Sequence, residues 1–351
     1  MSAANSWNLQ QDFRAVEAGV GMHWEGLRNA RIFITGGTGF IGRWLLETLR
    51  HADEVLNLDT RAVILTRDPD SFAKKAPHLA AWKNFMFFSG DVNSFQHPEG
   101  AFSHVIHAAT DARADLNEGN PCQMFDTILN GTRQVLDFAV AKKVGRFLYL
   151  SSGAVYGRQS SDMTHVSEDW HGGPDCANPV NAYAEGKRAA EMLCAIYGKQ
   201  FDLAINTARI FALLGPLLAL DIHFAAGNFI LDAIENRRII VKGNGLPIRS
   251  YLYISDLITM LWHMLLRGQP GRVYNLGSDE GVSIGHLAKR IAALIGRRGY
   301  EILGQPDKGW NTGRYVPSMR RASEELSLSR TVSLDEAIRR TAIWNGWKEC
   351  R

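Results

Sequence analysis

Apolar and polar positions change period repeatedly along this chain, and the changes divide it into elements. Residues 8–29 carry apolar side chains at mixed three and four spacing, from Leu9 and Phe13 to Trp24 and Leu27, which predicts a short amphipathic helix ahead of the first strand. Arg31-Ile-Phe-Ile-Thr35 is then a short β-rich apolar run. The glycine-rich stretch Gly36-Gly-Thr38-Gly39-Phe40-Ile41-Gly42 follows at once, and residues 43–50 return to helical spacing. Residues 61–66, 85–88, 102–110 and 146–150 read as further strands, and 130–139 and 182–198 as helices. Strand alternating with helix predicts a parallel, doubly wound α/β sheet whose ligands sit at the carboxyl ends of the strands.

Composition narrows this picture. The chain of 351 residues, 46% of them hydrophobic, has room for one large α/β domain or a core domain with a smaller partner. A formal charge of +3, from 39 basic and 36 acidic residues with no basic block, gives no reason to expect a nucleic-acid partner. Any anionic ligand is met locally. The cysteines, Cys122, Cys176, Cys194 and Cys350, are widely spaced, so neither structural zinc nor any other metal site is expected. The first residues lack the pattern of a signal peptide, and no apolar run approaches the roughly 18 residues of a membrane span, so the expected location is the cytoplasm.

The glycine stretch sits between a strand and a helix, which is where its chemistry requires it. Gly36, Gly39 and Gly42 let the backbone turn sharply and approach a pyrophosphate, while the N–H groups that open the helix stabilise negative charge. The next strand ends in Thr66 and Arg67. An acidic residue there would hydrogen-bond the ribose 2′-OH of NAD, whereas an arginine accommodates a 2′-phosphate. With Arg43 just past the last glycine, two guanidiniums are placed to clamp such a phosphate, so NADP is expected over NAD; the competing reading leaves both at the surface and gives the ribose to Asp68. Asp91 and Val92 follow the third strand, within reach of an adenine edge. Ala108 and Ala109 close the fourth, where small residues let the backbone lie against a cofactor, and His107 before them reads as a hydrogen-bonded core residue.

Candidate chemistry converges on Tyr183-Ala-Glu-Gly-Lys187. On a helix both side chains share one face, and a nearby cation is what allows a phenol to act as a base at neutral pH. Ser152 would lie at the end of the strand 146–150, on the same rim. Asp221 and His223, in a loop after Gly215-Pro216, read either as additional acid/base groups or as capping and packing residues.

Taken in order, Gly36-x-x-Gly39-x-x-Gly42, Asp91-Val92, His107-Ala-Ala, Ser151-Ser-Gly-Ala-Val-Tyr-Gly157 and Tyr183-x-x-x-Lys187 resemble the extended short-chain dehydrogenase/reductase family, and within it the nucleotide-sugar epimerases and dehydratases. The likeness continues through 209–216, 243–256, 274–277 and on to Trp344. It implies a Rossmann-type sheet with a smaller mixed α/β C-terminal substrate domain. Residues 1–29 would then be an N-terminal extension, 30–205 mainly the dinucleotide-binding domain, and 206–351 mainly the substrate domain with segments returning to the core. It also implies Tyr183 as general acid/base on a sugar oxygen, Ser152 polarising that oxygen, and Lys187 holding the nicotinamide ribose and lowering the phenol's pKa. Tyr183 and Lys187 thereby count among the cofactor contacts, with Thr38, Phe40 and Ile41 of the glycine turn. Asn228, Arg249 and Arg314 correspond to contacts of the substrate, a nucleotide-diphosphate sugar, and family members commonly pair as homodimers. Two departures bear on the reaction. Gly153 and Ala154 stand where 4,6-dehydratases carry an acidic pair and decarboxylases a glutamate, so an epimerase or keto-reductase is expected; Ala212 replaces a frequent substrate-binding asparagine.

Overall fold

The computed structural model of the chain describes residues 7–110, 119–160, 162–221, 225–305 and 313–348. The main strands are β1 (Arg31–Thr35), β2 (Arg61–Thr66), β3 (Phe85–Ser89), β4 (His104–His107), β5 (Arg146–Ser152) and β6 (Ile205–Ile210). Shorter strands follow as β7 (Leu213–Leu214), β8 (Ile239–Val241), β9 (Ile248–Arg249) and β10 (Leu252–Tyr253), before β11 (Val273–Leu276) returns to the main sheet. That sheet runs β3-β2-β1-β4-β5-β6-β11 with every pairing parallel. The order reverses direction between β1 and β4, the switch point at which open α/β sheets leave a crevice for ligands. β6 crosses the domain boundary expected between residues 205 and 206 and, with β11, belongs to this sheet.

Alternation along each strand supplies two cores. Ile32 and Ile34, Ala62 and Ile64, and Leu148 and Leu150 enter one core, under the helices Phe40–Leu56 and Ile254–Arg267. Phe33, Val63, Leu65, Phe147 and Tyr149 enter the other, under the helices Pro121–Ala141 and Ala182–Phe201. The result is three layers, helix on sheet on helix.

The N-terminal segment is the helix Leu9–Val20 followed by a 3₁₀ stretch, Gly21–Leu27. It packs on its own chain, against the first helical layer: Trp24 meets Trp262 with ring centroids 5.1 Å apart, and Phe13 stands edge-on to Trp44 at 5.6 Å. Asp12 pins it, accepting from Trp7 Nε1 (2.6 Å), the Tyr253 hydroxyl (2.8 Å) and Arg340 Nη1 (2.9 Å). Burial raises the pKa of this carboxyl, and the three donors work against that rise.

Beyond β11 the chain adds β12 (Val282–Ser283), β13 (Tyr300–Ile302) and β14 (Arg314–Tyr315). β8 pairs with β13, β7 with β10, and β9 lies between β12 and β14. The parallel register sets Tyr315 beside Arg249 and Arg314 beside Ile248. None of the described helices is long and apolar enough to cross a membrane.

Candidate active site

The turn after β1 fits a dinucleotide by what it excludes. Gly36 has φ +70°, and a Cβ there would lie 2.5 Å from the carbonyl of Ala108, so the β1 and β4 turns touch through bare backbone. A Cβ on Gly42 would fall on the Gly36 carbonyl oxygen. Gly39 caps the helix Phe40–Leu56 without any side-chain hydrogen bond, leaving the first-turn N–H groups open to an anion. Thr38 and Gly39 stay accessible at this turn while Phe40 and Ile41 lean on the core. The residues present therefore suit a pyrophosphate.

At the end of β2, Asp68 is committed to the local fold: its Oδ1 accepts from the Ser71 N–H at 2.9 Å and caps the next short helix. Thr66 is buried and Arg67 exposed. Arg43 leans on Glu47 at 3.6 Å, too far for a hydrogen bond, and its buried Nε has no hydrogen-bond partner. Glu47 itself is bonded to His78 Nε2 at 2.8 Å. Asp91 Oδ1 accepts from the Asn93 backbone and side-chain amides, both at 2.9 Å, and Val92 fills the space left by Gly131.

His107 is structural. Its Nδ1 lies 2.7 Å from Thr35 Oγ1 and its Nε2 3.0 Å from Thr132 Oγ1, whose own hydroxyl donates to the Ile128 carbonyl at 2.7 Å. That last bond fixes the proton on Nε2, because Thr132 can then only accept from the ring. Burial, and then the charge of Lys187, push the imidazole down to about 3, so it stays neutral. Thr35 Oγ1 also accepts from the Ala109 N–H at 3.2 Å, which ties the β4 turn in place.

The candidate catalytic side chains lie at the carboxyl end of β5. Asn178 and Pro179 start a 3₁₀ turn that feeds the helix Ala182–Phe201, placing Tyr183 one turn ahead of Lys187. Lys187 is 3% exposed; its Nζ donates to the Leu150 carbonyl at 2.7 Å and lies 4.9 Å from the Tyr149 ring centroid. Burial pushes its pKa down to about 7, against the opposing charge of Glu191. Burial likewise raises the Tyr183 phenol, and a hydrogen-bonding interaction with Ser152 works the other way. Ser152 Oγ in turn accepts from the Ala154 N–H at 3.2 Å. Tyr183 is thus set beside Ser152 with Lys187 one helical turn on, and burial favours the uncharged form of both the phenol and the amine.

Behind this cluster runs a polar network that sequence reasoning missed. Ser151 Oγ donates to Glu191 at 2.5 Å, and Arg209 holds the same carboxylate with Nη2 at 2.6 Å and Nε at 3.1 Å. The Arg209 guanidinium also covers the Tyr156 ring at 4.7 Å, and the Tyr156 hydroxyl donates to Asn275 Oδ1 at 2.7 Å. The available signal was Glu191 lying one helical turn beyond Lys187. Its partner comes from β6, where Arg209 is the cross-strand neighbour of Ser151.

On the C-terminal side, Arg249 is half-buried and its Nη1 donates to the carbonyls of Ile248 (2.9 Å) and Gly313 (2.8 Å). Tyr315 shares its face. Arg314, one residue earlier, is turned to the other face, reaching toward the Thr164 carbonyl at 3.5 Å beside Gly281, so it is not brought to Tyr183. Asn228 is exposed on the helix Ala225–Ile234 and Asp221 is exposed ahead of it, while His223 lies outside the described residues. Tyr315 was a second omission: its ring packs on Phe211 with centroids 4.5 Å apart and its hydroxyl stands over Gly153.

A parallel sheet with a glycine turn at its switch point is the architecture of a dinucleotide-binding α/β protein. The chain belongs to the NAD dependent epimerase/dehydratase family, whose sequence pattern matches residues 32–277. It is 31% identical over 316 residues to UDP-glucuronic acid decarboxylase 1 of Xenopus tropicalis, covering 89% of this chain and 71% of that one. Among solved structures it resembles an epimerase of Methanothermobacter thermautotrophicus, with TM-score 0.77, 22% identity and 93% and 95% of the two chains covered. It also resembles the UDP-glucuronic acid 4-epimerase of Bacillus cereus, solved with UDP-glucuronic acid and NAD, with TM-score 0.73, 24% identity and 90% and 98% covered.

Proposed function

We propose that this protein is an NADP(H)-dependent enzyme that epimerises, or reduces at a keto carbon, the sugar of a nucleotide-diphosphate sugar. The observation that carries the reading is the meeting of Ser152, Tyr183 and Lys187 at the end of β5, with no acidic side chain at positions 153 and 154. A bound nicotinamide supplies a two-electron hydride acceptor and donor. Tyr183 takes the proton from the sugar hydroxyl as its carbon is oxidised and returns it on reduction, and Ser152 holds the same oxygen. Lys187, one turn away, would hold the nicotinamide ribose and, in the fraction of molecules that keep its proton near pH 7, ease ionisation of the phenol. Arg249 is the candidate for the substrate pyrophosphate, a group that suits a guanidinium. Expecting NADP(H) rests on Thr66 and Arg67 at the end of β2, on Arg43 Nε making no hydrogen bond beyond its 3.6 Å approach to Glu47, and on Asp68 being used as a helix cap.

A second reading, elimination or decarboxylation with unusual acid/base groups, draws on the likeness to the Xenopus tropicalis decarboxylase. A thermal-shift panel over UDP-, dTDP-, GDP- and CDP-sugars finds the nucleotide, since stabilisation follows affinity. Product analysis with the sugar selected should then show a stereoisomer, or stoichiometric oxidation of NADPH by a keto sugar. Tyr183→Phe should lower turnover by about 10²–10⁴-fold while cofactor still binds. Release of carbon dioxide or water would favour the second reading, and full activity of Tyr183→Phe would remove the first.

A further inference from the structure

We propose that Trp44 is a positioning residue: braced by the N-terminal helix Leu9–Val20, its indole N–H holds the turn at Pro216 and with it the loop and helix that serve the sugar nucleotide. The inference rests on the assigned sugar-nucleotide substrate. Trp44 is fully buried in the helix Phe40–Leu56, one residue after Arg43, and its Nε1 donates to the Pro216 carbonyl at 2.9 Å. That bond joins the dinucleotide helix to the chain leaving β7. The turn it meets is strained. Gly215 has φ +150°, and a Cβ on it would fall on Ile254 Cγ2; Leu217 has φ +71°, a left-handed conformation that a leucine disfavours. The Pro216 carbonyl shares a peptide plane with the Leu217 N–H, so fixing that oxygen fixes the plane from which the strained φ is set. Further on, Leu220 backs directly on the helix Ala225–Ile234, where a Cβ on Gly227 would lie 3.0 Å from the Leu220 carbonyl oxygen. The next residue is Asn228, the substrate contact expected from the sequence.

Consecutive residues of the N-terminal helix grip this turn from two sides. Phe13 stands edge-on to the Trp44 ring, with centroids 5.6 Å apart. Asp12 accepts from the Tyr253 hydroxyl at 2.8 Å, and Tyr253 pairs in parallel with Leu214, the residue before Gly215. One contact steadies the indole that holds Pro216, and the other steadies the strand from which the turn departs. Trp7 and Arg340 also donate to Asp12, so the helix is locked to the body of the protein through a buried carboxylate as well as by apolar contact. The pyrophosphate side is built from backbone N–H groups of residues 36–42, which do not depend on the indole N–H. Loss of that N–H therefore separates the two ligands, loosening the sugar-nucleotide side and sparing the dinucleotide side.

Trp44→Phe tests this, because it keeps an aromatic ring against Phe13 and removes only the donor. Amide hydrogen exchange read by mass spectrometry should speed up at least about tenfold in peptides covering 214–221, while peptides covering 36–42 keep the wild-type rate. NADPH affinity should stay within about twofold of wild type. With the sugar nucleotide that the thermal-shift panel selects, KM should rise about five- to tenfold, the loss of one buried hydrogen bond, with kcat changed by less than about twofold. Phe13→Ala should move KM the same way, and the double variant should move it little further, because brace and bond act in series. Wild-type exchange in 214–221, an unchanged KM, or an equal loss of NADPH affinity would overturn the proposal. If the selective exchange appears while no sugar nucleotide binds, the assigned substrate falls and the hold of Trp44 on the turn stands.

Discussion

Glu191 and Arg209 form a two-pronged ion pair, 2.6 Å at its shortest, directly behind the lysine of the reactive cluster. Their side chains are only 12% and 15% exposed, so each charge depends on the other. Glu191→Gln leaves Arg209 uncompensated and should cost on the order of 3–5 kcal/mol by urea unfolding. Combining it with Arg209→Met should recover much of that loss, since the buried charge then disappears with its partner. A single-variant loss below about 1 kcal/mol would place the pair in solvent instead.

Lys187 makes stability depend on pH with a definite sign. Burial lets the folded chain release this proton near 7, whereas the unfolded chain holds it to the ordinary lysine range around 10.5. Unfolding across that interval takes up a proton, so stability rises with pH from about 7 upward. Relative to Lys187→Met, the wild-type chain should gain stability with a slope approaching about 1.4 kcal/mol per pH unit. Parallel stability profiles for the two proteins would contradict the assignment.

Gly42→Ala probes the dinucleotide turn. Its Cβ falls on the Gly36 carbonyl, so the turn must open. The expected result is a loss of at least about tenfold in dinucleotide affinity and roughly 1–3 kcal/mol of stability. Titration with cofactor and a thermal melt read both, and unaltered affinity would remove this turn from the site.

Cofactor choice separates at the end of β2. Arg67→Ala should weaken NADPH binding about tenfold and leave NADH binding unchanged, if a 2′-phosphate is recognised there. Asp68→Ala removes a helix cap, which costs about 1 kcal/mol of stability, and should not alter the NADPH-to-NADH ratio. Tighter binding of NADH than NADPH by the wild-type protein would count against the NADP assignment.

The local signals were enough for the scaffold. Apolar runs of four to nine residues between glycine turns and helical stretches read as buried strands, and β1 to β5 lie where those runs are. Boundaries moved where tertiary contacts extend an element. The helix expected over 130–139 spans Pro121–Ala141, because packing against the Tyr183 helix stabilises turns that the period alone did not mark. The strand 102–110 contracts to His104–His107, since its last residues turn to meet Gly36.

Tyr183, Lys187 and Ser152 were legible because a four-residue helical spacing and a strand end are properties of the chain itself. Their surroundings were not. Which charge stands behind Lys187, which arginine of β9 and β14 faces the site, and what fills the space over Gly153 depend on residues 18 to 162 positions apart. Those separations are closed by strand order and register, which burial of both sheet faces selects and no local pattern encodes. The sequence by itself determined the sheet, the glycine turn and the phenol–amine pair, whereas tertiary structure alone decided that Glu191, Arg209 and Tyr315 surround that pair.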